Sequence, residues 1–126
     1  SIGLAQLAKL DELQEIRGKI WNIYSAELGK EDWIICPPGP ESHETHSYFT
    51  YAIRTPNRDK LAKYLYSKGI YTTLRYPPLH LNKMFQTGSS LPNCEILNEE
   101  ALNIPLHPNL SMDDVDHIIE SIKKFK

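Results

Sequence analysis

The sequence predicts an α+β domain: a long N-terminal helix and a small, mainly antiparallel sheet covered by helices. Three observations predict it. Apolar residues recur three and four apart from Leu7 to Leu28, short aromatic and β-branched runs end at Pro or Gly, and a capped amphipathic helix closes the chain.

Taking the elements in order, Leu7, Leu10, Leu13, Ile16, Ile20, Tyr24 and Leu28 form one stripe of a helix expected to run from Ile2 to Leu28, with Gly29 as its stop. The opening turns carry Ile2, Leu4, Ala5, Leu7 and Ala8, apolar on nearly every side, so this end is expected to bury against something beyond the domain. Trp33 to Cys36 reads as a short strand, stopped by the loop PPGPESHETH. SYFTYAIR follows as a strand, with Phe49, Tyr51 and Ile53 alternating against Tyr48, Thr50 and Ala52. Pro56 and Asn57 open a second helix, Arg58 to Lys68, with Leu61, Ala62, Leu65 and Tyr66 inward and Gly69 at its C-terminal end. YTTLRYPPLHL begins as a strand and runs into two prolines. Cys94 to Glu100 reads as a short helix and Ala101 to Ile104 as a strand. Ser111 caps the last helix with Asp114 three residues on, and Val115, Ile118, Ile119, Ile122 and Phe125 form its buried stripe.

With 126 residues the chain is a single domain, residues 1–126, able to bury about two thirds of its unfolded surface. Fourteen basic and sixteen acidic residues leave a net charge of -2 with neither sign in a block, which argues against a nucleic-acid partner. No apolar run approaches the roughly 20 residues needed to span a bilayer, so no membrane partner is expected. Cys36 and Cys94 lie far apart without a CxxC partner, so neither a disulfide framework nor a structural zinc is indicated and a cytoplasmic setting is expected.

Most chemical motifs are absent or weak. The two imidazoles of HETH, His43 and His46, sit in a Pro-Gly-Pro loop with no evident third ligand, so no metal site is expected. The scattered glycines form no phosphate cradle, and no GxSxG elbow presents a nucleophile. LRYPPLH stands apart. Two prolines fix φ on either side of polar groups, Arg75 offers a planar fork for phosphate or carboxylate, and Tyr76 and His80 offer hydrogen bonds to hydroxyls. The plainer reading is a strand end where Tyr76 packs and Arg75 pairs with a surface carboxylate, and both stay open on these residues alone.

Several segments together resemble one family. GLAQLAKLDELQEIRGKIWNIYSAEL resembles the long helix that begins the C-terminal domain of the DegT/DnrJ/StrS nucleotide-sugar aminotransferases, pyridoxal-phosphate enzymes of the type I, aspartate-aminotransferase fold. RDKLAKYLYSKGIYTTLRYPPLHL and LPNCEILNEEALNIPLHPNLSMDDVDHIIESI are similar to two further segments of that domain, in order and at natural spacing. The resemblance implies the small domain of such an enzyme, with the pyridoxal 5'-phosphate-binding large domain outside this chain and Ser1 standing where the family's NYRMS run finishes. It implies transfer of an amino group, from glutamate, to a nucleotide-linked keto sugar in deoxyamino-sugar biosynthesis, by a homodimer. It also implies that Arg75, Tyr76 and His80 approach the sugar nucleotide, with Arg75 standing where many members have histidine. None of the lysines occupies the family's Schiff-base segment, so no catalytic or cofactor-binding residue is expected here, and the fragment alone is expected to be inactive. Cys94, Asn103 and His107 read as packing or structural. A non-catalytic small-ligand or protein-binding α+β module is the alternative, and a regulatory domain of this fold that has lost catalysis also fits.

Overall fold

The computed structural model describes residues 2–74, 76–85 and 88–125. Its elements in order are α1 (Ile2–Leu7), α2 (Leu10–Leu28), β1 (Tyr51–Arg54), α3 (Arg58–Ser67), a 3-10 turn (Leu79–Leu81), α4 (Pro92–Glu100), β2 (Ala101–Ile104) and α5 (Met112–Lys123). The architecture is α+β, as the sequence predicts.

β1 and β2 pair antiparallel, Tyr51 opposite Ile104 and Ile53 opposite Leu102. Single bridges extend the sheet on both sides, Ile35 to Arg54 and Thr73 to Asn103. Tyr51, Ile53, Leu102 and Ile104 are buried on the face packed by the helices, where they meet Tyr24 and Leu28 of α2, Leu61 and Leu65 of α3, and Val115, Ile118 and Ile122 of α5. Burying each such side chain contributes roughly 1.5–3 kcal/mol. Polar ties cross this core: the Tyr24 hydroxyl donates to the Pro105 carbonyl at 2.9 Å, the Ser25 and Tyr51 hydroxyls share a bond at 2.9 Å, and Lys123 of α5 donates to Glu27 of α2 at 2.6 Å. Burial pushes both tyrosine hydroxyls well above the ordinary phenol range.

The continuous helix expected from Ile2 to Leu28 is broken at Ala8 and Lys9. The Lys9 amide bonds to the Gln6 carbonyl three residues back, a tighter turn than the helix on either side. None of α1 is buried, so no packing holds the two axes in line. Gly29 ends α2 as expected, though with φ -65 it stays right-handed. Gly69, with φ +79, is the left-handed stop at the end of α3, which finishes at Ser67. Tyr66, expected inward, is 72% exposed, because its position on the helix turns it to the solvent side of Leu65.

Three strand expectations shorten. Trp33 to Cys36 contributes only the Ile35 bridge before Pro37 and Pro38 end it, and Tyr71 to Leu74 contributes only Thr73. SYFTYAIR is a strand only from Tyr51, because Tyr48 sits at φ 47 and turns the chain before pairing can begin. Phe49 is 65% exposed. Against α2, the Tyr48 ring fills the place where Gly18 lacks a side chain; a Cβ there would stand 3.2 Å from Tyr48 Cε2. At the C-terminal end the expected cap is complete: the Ser111 hydroxyl accepts from the Asp114 amide, and the Asp114 carboxylate accepts from the Ser111 amide.

Candidate functional site

The segment singled out by its chemistry leaves the sheet at Thr73 and turns outward. Tyr76 is 78% exposed, Pro78 takes an extended conformation, and the 3-10 turn closes with the Leu81 amide on the Pro78 carbonyl at 3.1 Å. The turn brings His80 inward against the start of α4. Its side chain is only 7% exposed, and Nε2 lies 3.0 Å from Glu95 Oε1. The same carboxylate oxygen accepts from the Leu91 amide at 2.9 Å and from the Ser90 hydroxyl at 3.3 Å. These donors, His80 foremost, hold the Glu95 carboxyl below the usual range. Since an ionised carboxylate only accepts, His80 Nε2 carries the proton.

The structure therefore presents Tyr76 and anchors His80. Arg75 lies outside the described residues. Around the rim Leu74, Leu79, Leu81, Met84 and Phe85 are all exposed, as are Ile2, Leu4 and Leu7 of α1, so this domain carries far more exposed apolar surface than its core needs. Glu95 is a residue of this site that the sequence motifs did not point to. Its signal was legible as a carboxylate in the first turn of a helix that Pro92 opens, but the pairing with His80 spans a loop and no spacing rule reaches it.

A concavity of about 430 Å³ has Phe49, Tyr71, Thr73, His107, Asp114 and His117 among its walls. Neither Tyr76 nor His80 lines it. His107, expected to be structural, is exposed on this wall. His117 Nε2 faces the Lys68 carbonyl at 3.1 Å, and Asp114 is held low first by the Ser111 hydroxyl and then by the Ser111 amide. Within HETH, His46 Nδ1 accepts from the Tyr48 amide at 3.0 Å and its ring packs against Trp21. No group of three metal-ligating side chains occurs among the described residues, and no described helix is long and apolar enough to cross a membrane.

Fold and rim define a class: a small α+β domain that holds out a stiffened, polar-tipped segment amid uncovered apolar surface. The chain belongs to the DegT/DnrJ/EryC1/StrS aminotransferase family, whose sequence profile matches residues 1–123. It is 32% identical to the dTDP-4-dehydro-2,3,6-trideoxy-D-glucose 4-aminotransferase of Saccharopolyspora spinosa, over 98% of this chain and 33% of that protein. Its structure resembles the aminotransferase TlmJ of Streptoalloteichus hindustanus with a TM-score of 0.93 at 40% identity, covering 97% of this chain and 34% of TlmJ. It also resembles Spr1654 of Streptococcus pneumoniae in its PLP form, TM-score 0.86 at 25% identity, covering 96% of this chain and 33% of that one. The chain thus spans about a third of the length of these relatives.

Among the described residues no cradle for pyridoxal phosphate is assembled. Every described lysine is exposed or paired with a carboxylate, as Lys19 is with Glu15, Lys30 and Lys123 with Glu27, and Lys124 with Glu120. The first turns of α2, α3, α4 and α5 each carry Asp or Glu, whose negative charge disfavours a phosphate at those ends.

Proposed function

We propose that this chain is the C-terminal small domain of a pyridoxal-phosphate-dependent aminotransferase that moves an amino group, from glutamate, to a nucleotide-linked keto sugar in deoxyamino-sugar biosynthesis. The observation that carries the reading is the family match across residues 1–123, joined to structural superposition on TlmJ over 97% of the chain. The name of the Saccharopolyspora spinosa relative supports a nucleoside-diphosphate keto sugar as acceptor, and the PLP form of Spr1654 supports the cofactor. The large domain that would bind the cofactor is a further part of this proposal, as are a homodimer and a cytoplasmic setting. The uncovered apolar residues of α1 and of the rim support a covering partner surface.

In this reading the rim closes one side of the sugar pocket. Tyr76 reaches the substrate from an exposed position, Arg75 offers its fork to a phosphate or carboxylate, and His80 contributes from the anchored base of the turn. The chain alone neither holds the cofactor nor turns over.

Turnover of the full-length enzyme on a panel of nucleotide-linked keto sugars tests the assignment. Tyr76→Phe, His80→Ala and Arg75→His should each lower kcat/KM about tenfold or more, the worth of one lost hydrogen bond to a charged or polar partner. Unchanged kinetics in all three would remove the rim from the site. Borohydride reduction of this chain mixed with pyridoxal phosphate should trap no stoichiometric adduct; labelling of a single lysine would defeat the domain assignment. The 430 Å³ cavity favours one competing reading, a non-catalytic binding module, which gains if the full-length protein shows no transamination.

A further inference from the structure

We infer that Glu95 is a positioning residue for the sugar-facing rim, fixing Tyr76 and His80 through a single carboxylate oxygen; this rests on the aminotransferase reading above. Three donors from two separate pieces of chain converge on Glu95 Oε1: His80 Nε2 at 3.0 Å from the rim, and the Leu91 amide at 2.9 Å and Ser90 hydroxyl at 3.3 Å from the loop before α4. Glu95 itself is carried on the first turn of α4, where its charge is favoured by the helix end. α4 in turn runs directly into β2, so the anchor is built on the sheet.

The consequence for the rim follows from the covalent chain. Between His80 and Tyr76 stand Pro77, Pro78 and Leu79, the two prolines with φ fixed by their rings and Leu79 inside the 3-10 turn that is closed on the Pro78 carbonyl. Holding the His80 ring therefore narrows where Tyr76 emerges, since both proline φ angles and the 3-10 turn are already set. The bond also fixes which nitrogen faces the carboxylate: Nε2 is turned to Glu95, so Nδ1 is the nitrogen left for any other partner. Removing the carboxylate frees the ring and the turn together, and the binding cost appears where the sugar is held.

The test uses the full-length enzyme and its sugar substrate. Because all three donors use Oε1, Glu95→Gln keeps an acceptor in place, whereas Glu95→Asp keeps the charge but withdraws the oxygen by one methylene, and Glu95→Ala removes it. The expected order of KM for the sugar nucleotide is Ala above Asp above Gln, with Ala raised about tenfold, Gln within about threefold of the parent, and kcat nearly constant throughout. A His80→Ala/Glu95→Ala double variant should be no worse than His80→Ala alone, because the carboxylate acts through the ring. If Glu95→Ala does not fold, the order of Asp and Gln decides. Equal KM for Asp and Gln, a fall in kcat without a rise in KM, or additive losses in the double variant overturns the inference while leaving the aminotransferase reading intact. A parent enzyme that aminates no nucleotide sugar removes both.

Discussion

Gly18 lies in the middle of α2, where glycine ordinarily costs about 1 kcal/mol relative to alanine. Replacing it with alanine would recover that amount if space allowed, but the new Cβ would stand 3.2 Å from Tyr48 Cε2 and 3.4 Å from Cδ2. The ring cannot easily retreat. Its backbone is held at φ 47, its amide donates to His46, and it packs against Trp21 at 5.8 Å and His46 at 4.7 Å between centroids. Overpacking of this kind costs about 1–3 kcal/mol, so Gly18→Ala should destabilise the parent by about 1 kcal/mol net. Tyr48→Asn removes the ring and suits the left-handed backbone, and in that background Gly18→Ala should stabilise by about 1 kcal/mol, a reversal of sign. Urea unfolding of the four variants, read by tryptophan fluorescence and far-UV circular dichroism, measures the coupling, expected at about 2 kcal/mol. A Gly18→Ala change of the same sign and size in both backgrounds would refute the reasoning, since it would show that the contact does not govern why glycine stands there.

Two further outcomes follow from the ties between elements. The Lys123 and Lys30 ammonium groups hold the Glu27 carboxyl down to about 2, against an ordinary 4.5, so its contribution is present above pH 4.5 and is lost as pH falls toward 2. Lys123 is raised by the same pairing, so its part is present below 10.5 and is lost as pH rises through the higher folded value. Thermal unfolding across pH should therefore show a plateau that falls at both ends, and Glu27→Gln should flatten the acid limb most. Ser111→Ala removes the cap of α5 and should cost about 1 kcal/mol in the same denaturation assay, with Asp114 titrating closer to its ordinary range by NMR.

Helices with a strong stripe were legible in the sequence because their period records which side is buried. Ile20, Tyr24 and Leu28 of α2, and Val115, Ile118, Ile119 and Ile122 of α5, are buried as their spacing requires, and Ser111 with Asp114 marks the start of α5 from local chemistry alone. Strand lengths were less legible. A residue's tendency to extend says nothing about whether a neighbour is there to pair with it, and Tyr48, Pro37 and Pro78 cut the ladders to single bridges or four residues. The break at Ala8 and Lys9 had no signal, since no proline or glycine stands there; it reflects the absence of burial along α1.

The sequence by itself determined the class of fold, the cap of α5 and the family, because periodicity, capping chemistry and ordered motifs are properties of residues close together in the chain. Only the tertiary structure decided that His80 turns inward while Tyr76 turns outward, that Glu95 holds the imidazole, and that Tyr48 occupies the space left by Gly18. Those facts join residues separated by a loop or more, and their partners are chosen by how the helices close over the sheet. The physical reason is that a hydrogen bond or a packing contact depends on distance in space, which local pattern constrains only within a turn or a strand.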